Sequence, residues 1–447
     1  MALEGLARDG GLYVPELFPH ITKEELAALR GKSYVDVAFE VLKAFFAGVP
    51  GIDLRRLLQH AFTKETFEVE EIVEVKRLAE ELFLAKLFRC PTLSFKDYSL
   101  QLVGRVFNYL LAQTGTRATV IGATSGDTGS SAIEAMRGCE NVEVCIFHPR
   151  GLVAEIQRLQ MTTVLDGNIH NFALEGTFDD CQAMTKALFK DPDIRAIHPL
   201  AVNSIGWVRI ASQMVFLVSE WLQVTERDDE AITVAIPTGN FGHALAAYYV
   251  RKMGVPIKTI IVCSNENDVL PEFYETGVYR RRERVIPTTS PSMDIQVSSN
   301  FERFVYEASG GDADLVRSLW EQFETEGSFR IEGELHERCC DGILAGKATQ
   351  AEVRETIRST YLEYGEVIDT HTANAMAVVK RFPVNGKVVV GGTASPHKFP
   401  EVVKEALGAS FCEPMPERLA RLFLMPERVT TVPNDFATVK KLVLSCS

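Results

Sequence analysis

Lys96 stands in the run Pro91-Thr92-Leu93-Ser94-Phe95-Lys96-Asp97, at the head of an apolar helical stretch over 98–111. A lysine at a helix start is ordinarily a solvated surface residue. A lysine desolvated in a positively charged site is instead the residue type that forms Schiff bases. Three other segments are dense in Gly, Ser and Thr. They are Gly122-Ala123-Thr124-Ser125-Gly126-Asp127-Thr128-Gly129-Ser130-Ser131, Pro237-Thr238-Gly239-Asn240-Phe241-Gly242 and Gly391-Gly392-Thr393-Ala394-Ser395-Pro396. Glycines let a backbone approach an anion closely, and a following helix offers free N–H groups and positive partial charge. One such loop is most simply a tight turn; three in one chain point to a site that holds several anionic groups. None is a nucleotide fingerprint, because the chain has neither GxGxxG nor the Gly-Lys-Ser/Thr of a P-loop. A lysine with several phosphate-type loops points to pyridoxal 5'-phosphate, which needs both.

These loops need elements to carry them. From residue 116 onward, short apolar runs alternate with amphipathic stretches. The pattern predicts strands over 118–121, 142–147, 231–236, 257–263 and 387–390. It predicts helices over 130–136, 153–160, 178–189, 205–222, 243–253 and 399–407. Strand–loop–helix repetition of this kind implies an α/β fold with parallel sheets, whose ligands bind at the carboxyl ends of strands. The first 78 residues read as mostly helical. Thr22 before Lys23-Glu24-Glu25 is a helix N-cap, residues 34–46 have helical apolar spacing, and 10–15 form a turn into an extended piece. The expected organisation is a helical segment over 1–78, an α/β lobe over 79–215 with Lys96 and the first loop, and a larger α/β lobe over 216–447.

The bulk properties restrict the function. The 447 residues are 46% apolar and 24% charged, as in ordinary soluble globular proteins. A net charge of −13 argues against general nucleic-acid binding. The one basic run, Arg280-Arg281-Arg282-Glu283-Arg284, reads as a solvated surface stretch. Nine scattered cysteines, without CxxC or zinc-type spacing, fit a reducing compartment and no metal. No apolar run approaches the length of a membrane span, and the stretch 214–218 stops at Ser219 and Glu220. Residues 1–5 show no signal peptide, so the cytoplasm is expected.

The motifs resemble those of the threonine synthases, a family in the tryptophan synthase β-like group of pyridoxal-phosphate enzymes. Asp9-Gly10-Gly11-Leu12-Tyr13-Val14-Pro15 is similar to that family's N-terminal signature, and the Lys96 segment to its cofactor-lysine motif. Ala123 to Gly129 matches its substrate-carboxylate loop. Gln160-Met161-Thr162-Thr163, Asn203-Ser204-Ile205, the Pro237 to Gly242 loop and Ser292-Met293-Asp294-Ile295 match as well. The longer bacterial and fungal branch is the nearer one.

The resemblance implies fold type II, with two open parallel-type sheets covered by helices on both faces. It implies that Lys96 carries the cofactor and shuttles protons. Gly239, Asn240, Phe241 and Gly242 then hold the cofactor phosphate, Thr393 meets the pyridine nitrogen, and Asp127 lies against the cofactor. Thr124, Ser125, Gly126, Asp127 and Thr128 take the substrate carboxylate; Asn203, Ser204 and Arg209 are candidates for its phosphate. The implied substrate is a small phosphorylated amino acid, O-phospho-L-homoserine, converted with water to L-threonine and phosphate by a monomer or homodimer.

Departures from the family pattern gather around the expected site. Arg89-Cys90 stand where His-Gly is usual, and Gly206 replaces Asn. His243 replaces Asp, Ser395 replaces His with a His displaced to 397, and Thr370 precedes His371 where Pro is usual. The family's leading Ser-Thr-Arg-Gly segment is absent. Drift within a true threonine synthase is one reading. A paralogue acting on another γ-substituted, phospho- or phosphono-amino acid is a second, and a non-catalytic paralogue a third. His243 is either a hydrogen-bonded structural histidine or a new acid, base or anion contact. Cys90 reads as a packed small residue rather than a nucleophile.

Overall fold

The computed structural model describes residues 5–7, 9–67, 69 and 71–446. Of residues 1–5, on which the signal-peptide expectation rests, 1–4 lie outside the described residues. Four helices lead the chain. Thr22 caps Lys23–Leu29 by accepting from Glu25 N, and the Glu25 carboxylate returns the bond to Thr22 N. Tyr34–Phe46 buries Val37, Ala38, Val41 and Leu42 at the spacing the sequence predicts. Residues 11–15 form no regular strand.

The strands follow in chain order. β1 (Val75–Arg77) and β2 (Leu82–Lys86) precede the helix Lys96–Thr114. β3 (Ala118–Ala123), β4 (Val142–Pro149), β5 (Ile169–Leu174) and β6 (Pro199–Leu200) come next. β7 (Ile232–Pro237), β8 (Ile257–Ser264), β9 (Val278–Arg280) and β10 (Ser328–Arg330) follow, and β11 (Ile343–Lys347), β12 (Val388–Gly392) and β13 (Thr430–Val432) complete the set. A five-stranded sheet runs β13-β5-β4-β3-β6, with every pairing parallel. A six-stranded sheet runs β1-β2-β12-β7-β8-β11, parallel except for β1 against β2. All eight residues of β4 are buried, as in a central strand covered on both faces.

The sheets do not divide where chain order divides. β2 lies within 79–215, yet it pairs with β12 in the six-stranded sheet. β13 lies within 216–447, yet it pairs with β5. Parallel pairing needs long crossovers, so neighbours in a sheet need not be neighbours in sequence. The helix Trp207–Val224 is buried on nearly all sides and packs against Tyr34–Phe46, Lys96–Thr114 and Gly242–Lys252. It joins the leading helices to the Lys96 helix and to the helix that follows β7. No helix among the described residues is long and apolar enough to cross a membrane. All nine cysteines are free.

Candidate active site

The carboxyl ends of both sheets meet at a cavity of about 880 Å³ lined by Lys96, Asp127, Arg209, Gly239, His371 and Thr393, among others. Lys96 is the first residue of its helix. Its loop is held from within by Asp97, which is fully buried and accepts from Thr92 N at 2.6 Å and Thr92 Oγ1 at 2.9 Å. Burial raises the Asp97 pKa despite these bonds. The loop is also stitched to the third Gly-rich segment. Phe95 N donates to Thr393 O (2.9 Å), Ser395 N donates to Leu93 O (3.1 Å), and Ser94 and Ala394 form a bridge. The lysine and Thr393 therefore share one rigid frame.

Asp127 is the electrostatic centre. Lys398 Nζ donates to Oδ1 at 2.7 Å, Gln157 Nε2 donates to the same oxygen at 2.7 Å, and Lys96 Nζ lies 3.4 Å from Oδ2. The side chains of Lys398 and Asp127 are 0% and 3% exposed. Burial opposes the charge on Asp127, but the two ammonium groups and their hydrogen bonds outweigh it and hold the carboxyl far below the usual carboxylate range. Burial lowers the pKa of Lys96; Asp127 opposes that, while Arg209 and Lys398 add to it. These are the conditions that keep an amine nucleophilic.

The first loop is shaped by Thr124. Its hydroxyl accepts from Gly126 N (3.0 Å) and Gly129 N (2.9 Å). A Cβ on Gly126 would stand 2.4 Å from Gln157, and its φ of 153° suits glycine. The helix consequently begins at Asp127 rather than at residue 130. Ser125, Thr128 and Thr393 hydroxyls engage no hydrogen-bond partner among the described residues and are available to a ligand.

The second loop turns through Phe241, which holds φ 61°, into the helix Gly242–Lys252. A Cβ on Gly239 would meet Ser292 O at 2.8 Å and Ile295 at 3.0 Å. The loop therefore packs on residues 292–295 more closely than a side chain at 239 allows, and it lines the cavity at a helix start, where free N–H groups are available to an anion. Asn203 and Ser204 lie in the loop before the helix Trp207–Val224, which places Arg209 in its first turn. Arg209 is buried, has no carboxylate partner among the described residues, and is lowered to about 10 by desolvation. An unpaired buried guanidinium on the wall of a cavity is suited to an incoming anion.

His243 lines the cavity and lacks, among the described residues, the hydrogen bonds that the structural-histidine reading expects. Both ring nitrogens are buried without a hydrogen-bond partner among the described residues. The ring stacks on Phe95 with centroids 5.6 Å apart and meets Phe216 edge-on at 4.9 Å. Desolvation lowers its pKa to about 3, so it is a neutral aromatic spacer behind the lysine loop. Cys90 is packed and donates to Ser94 O, and burial pushes its thiol well above the ordinary value. Arg89 turns outward to Glu74. Gly206 precedes the helix that carries Arg209, and Ser395 pairs with His397 at 3.0 Å. Arg280 to Arg284 are exposed.

Several site residues went unread in the sequence. Lys398 carries no motif of its own, and only the fold brings it to Asp127. His371 lines the cavity with Nδ1 2.9 Å from Asp369 and its buried Nε2 unpartnered among the described residues. Ser298, Ser299 and Asn300 lie two residues beyond the noted 292–295 motif, yet their polar types alone gave no sign that they bind two loops.

Comparison with known proteins places this geometry. Residues 67–321 match the family model described as pyridoxal-phosphate dependent enzyme. Residues 1–62 match that of the threonine synthase N terminus, and 372–443 that of the threonine synthase C-terminal region. The chain is 40% identical to the threonine synthase of Methylobacillus glycogenes, over 99% of this chain and 95% of that one. It superposes on the pyridoxal-phosphate-bound threonine synthase of Brucella melitensis with a TM-score of 0.96 at 41% identity, covering 100% of this chain and 96% of the other. For the yeast threonine synthase the TM-score is 0.95 at 33% identity, covering 100% and 95%. With both sheets, the lysine loop and the terminal regions all matched, the chain belongs to the threonine synthase family of pyridoxal-phosphate-dependent enzymes.

Proposed function

We infer that this chain converts O-phospho-L-homoserine and water to L-threonine and phosphate, with pyridoxal 5'-phosphate held at Lys96. The observation that carries the reading is the buried Lys96–Asp127–Lys398 cluster, facing a cavity with an unpaired Arg209, in a chain matched end to end by the family. The residues fit the cofactor. Gly239 to Gly242 offer a backbone cradle that a Cβ would fill, the Thr393 hydroxyl is uncommitted, and Lys96 is buried with a lowered pKa.

When bound, the cofactor supplies an electron sink that acidifies the substrate's Cα and Cβ protons and allows the γ-phosphate to leave. Lys96 holds the cofactor and moves protons at Cα. Burial lowers its pKa, which favours the free amine that a base requires. Gly239, Asn240, Phe241 and Gly242 present backbone donors to the cofactor phosphate, and Thr393 holds the pyridine nitrogen through a neutral hydroxyl. Asp127 fixes the orientation of Lys96 and Lys398 against the cofactor. Thr124 holds the loop in which Ser125, Gly126 and Thr128 orient the substrate carboxylate. Asn203, Ser204 and Arg209 hold the substrate phosphate, with Arg209 placed for two parallel hydrogen bonds. The enzyme acts as a monomer or homodimer in the cytoplasm, a reducing compartment consistent with nine free cysteines.

The test is incubation of the purified, cofactor-loaded protein with O-phospho-L-homoserine, with phosphate and threonine measured together. Equal release of both is expected. Phosphate without threonine, or neither, overturns the reading. Lys96→Ala should lose both products and the visible Schiff-base absorbance.

A further inference from the structure

Two anion-facing loops hang from one short segment. Asn300 is fully buried in the run Ser298-Ser299-Asn300. Its Nδ2 donates to Ser204 O at 3.0 Å and to Asn240 O at 3.1 Å. Its Oδ1 accepts from Arg303 Nη1 at 2.8 Å, and Arg303 Nε in turn donates to Tyr13 O at 2.9 Å. Arg303 therefore fixes which end of the carboxamide faces the loops, since a guanidinium only donates. Ser299 Oγ lies 2.7 Å from Ser204 Oγ and donates to Asn240 Oδ1 at 3.1 Å. Ser298 Oγ donates to Gly239 O at 2.6 Å.

The consequence is geometric. One nitrogen bonded to two carbonyl oxygens holds them roughly 5 Å apart, given ordinary bond lengths and the spread of its two hydrogens. The carbonyls belong to different loops, one before the helix of Arg209 and one before the helix that starts at Gly242. Asn240 lines the cavity, and its Oδ1 accepts from Ser299, so the Ser299 hydroxyl sets the orientation of that carboxamide. We propose that Ser299 and Asn300 set the separation between the cofactor-phosphate and substrate-phosphate loops, and so determine that the enzyme takes a phosphate carried on the γ-carbon rather than the β-carbon. They are positioning residues that act through Ser204 and Asn240. The proposal rests on the roles assigned to those two loops above.

The experiment compares wild type with Ser299→Ala and Asn300→Asp as cofactor-loaded proteins. Three quantities are read: pyridoxal-phosphate affinity by absorbance titration, kcat and KM for O-phospho-L-homoserine, and inhibition by O-phospho-L-serine, one carbon shorter. In Ser299→Ala, KM should rise about tenfold and the preference for the longer substrate over the shorter inhibitor should fall about tenfold, with cofactor affinity changed less than about threefold. Asn300→Asp should show the larger effect; should it fail to fold, Ser299→Ala alone decides. An unchanged preference, or equal losses in cofactor affinity and KM, overturns the proposal. Calorimetric binding of inorganic phosphate is measured alongside. If wild type shows no turnover, the functional reading fails separately, and a phosphate affinity identical in wild type and Ser299→Ala then overturns the spacer role.

Discussion

Asp127 shows why the chemistry of this site cannot be assigned one residue at a time. The carboxylate is buried between two lysines, and the charge of each group depends on the others. Replacing Lys398 by Met leaves a buried carboxylate with the Gln157 amide and one charged partner, Lys96 at 3.4 Å, and should cost about 3–5 kcal/mol of stability, measured by denaturant unfolding. It should also raise the pKa of Lys96, because Lys398 is one of the groups that lowers it. The rate of Schiff-base formation with pyridoxal phosphate should then rise with pH at a higher pH than in wild type. A loss of stability with an unchanged pH profile would assign Lys398 a purely structural role. The sequence made Lys96 and Asp127 visible through their motifs. Lys398 lies 271 positions from Asp127, and no local pattern marks such a contact.

At the scale of elements, the candidate anion loops depend on glycines such as Gly126 and Gly239, where a Cβ would meet a neighbour at under 3.0 Å. Gly239→Ala puts a methyl 2.8 Å from Ser292 O. That neighbour is backbone and cannot rotate away. Pyridoxal-phosphate affinity should fall by about tenfold or more while the fold loses only about 1–2 kcal/mol; equal cofactor titrations for variant and wild type would refute the cradle. Thr22→Ala, by contrast, removes one capping hydroxyl from the first helix and should cost about 1 kcal/mol without touching cofactor binding. The strands and helices around the site were legible because their apolar spacing and turn residues are local. The start of the Asp127–Met136 helix was not, because it depends on Thr124 capping and on a glycine conformation packed against Gln157.

For the whole molecule, the helix Trp207–Val224 carries Arg209 at one end and buries Glu220 near Tyr34 and Tyr98. Desolvation raises Glu220 from 4.5 to about 8. The native protein therefore holds it protonated at neutral pH, whereas the unfolded chain ionises it above its ordinary value. The sign follows: the associated stability is fully present below about 4.5 and is lost as pH rises through about 8. Glu220→Gln removes that dependence. Its gain in stability over wild type should grow between those two values, to about 2–4 kcal/mol at the alkaline end, and thermal unfolding at several pH values measures it. A constant difference across the range would mean that Glu220 is ionised in the native state.

The sequence by itself determined the α/β class, the three Gly-rich loops and the family, and singled out Lys96 as the candidate cofactor lysine, because each is written in short motifs and local periodicity. Tertiary structure decided the rest. It placed β2 and β13 in sheets that chain order does not suggest, and brought Lys398 to Asp127. It left His243 a neutral ring between Phe95 and Phe216, and hung two anion loops from Asn300. These outcomes depend on burial and on contacts between distant segments. Burial sets whether a charge is kept, and contact sets what a donor meets. Neither is a property of a residue and its neighbours in sequence.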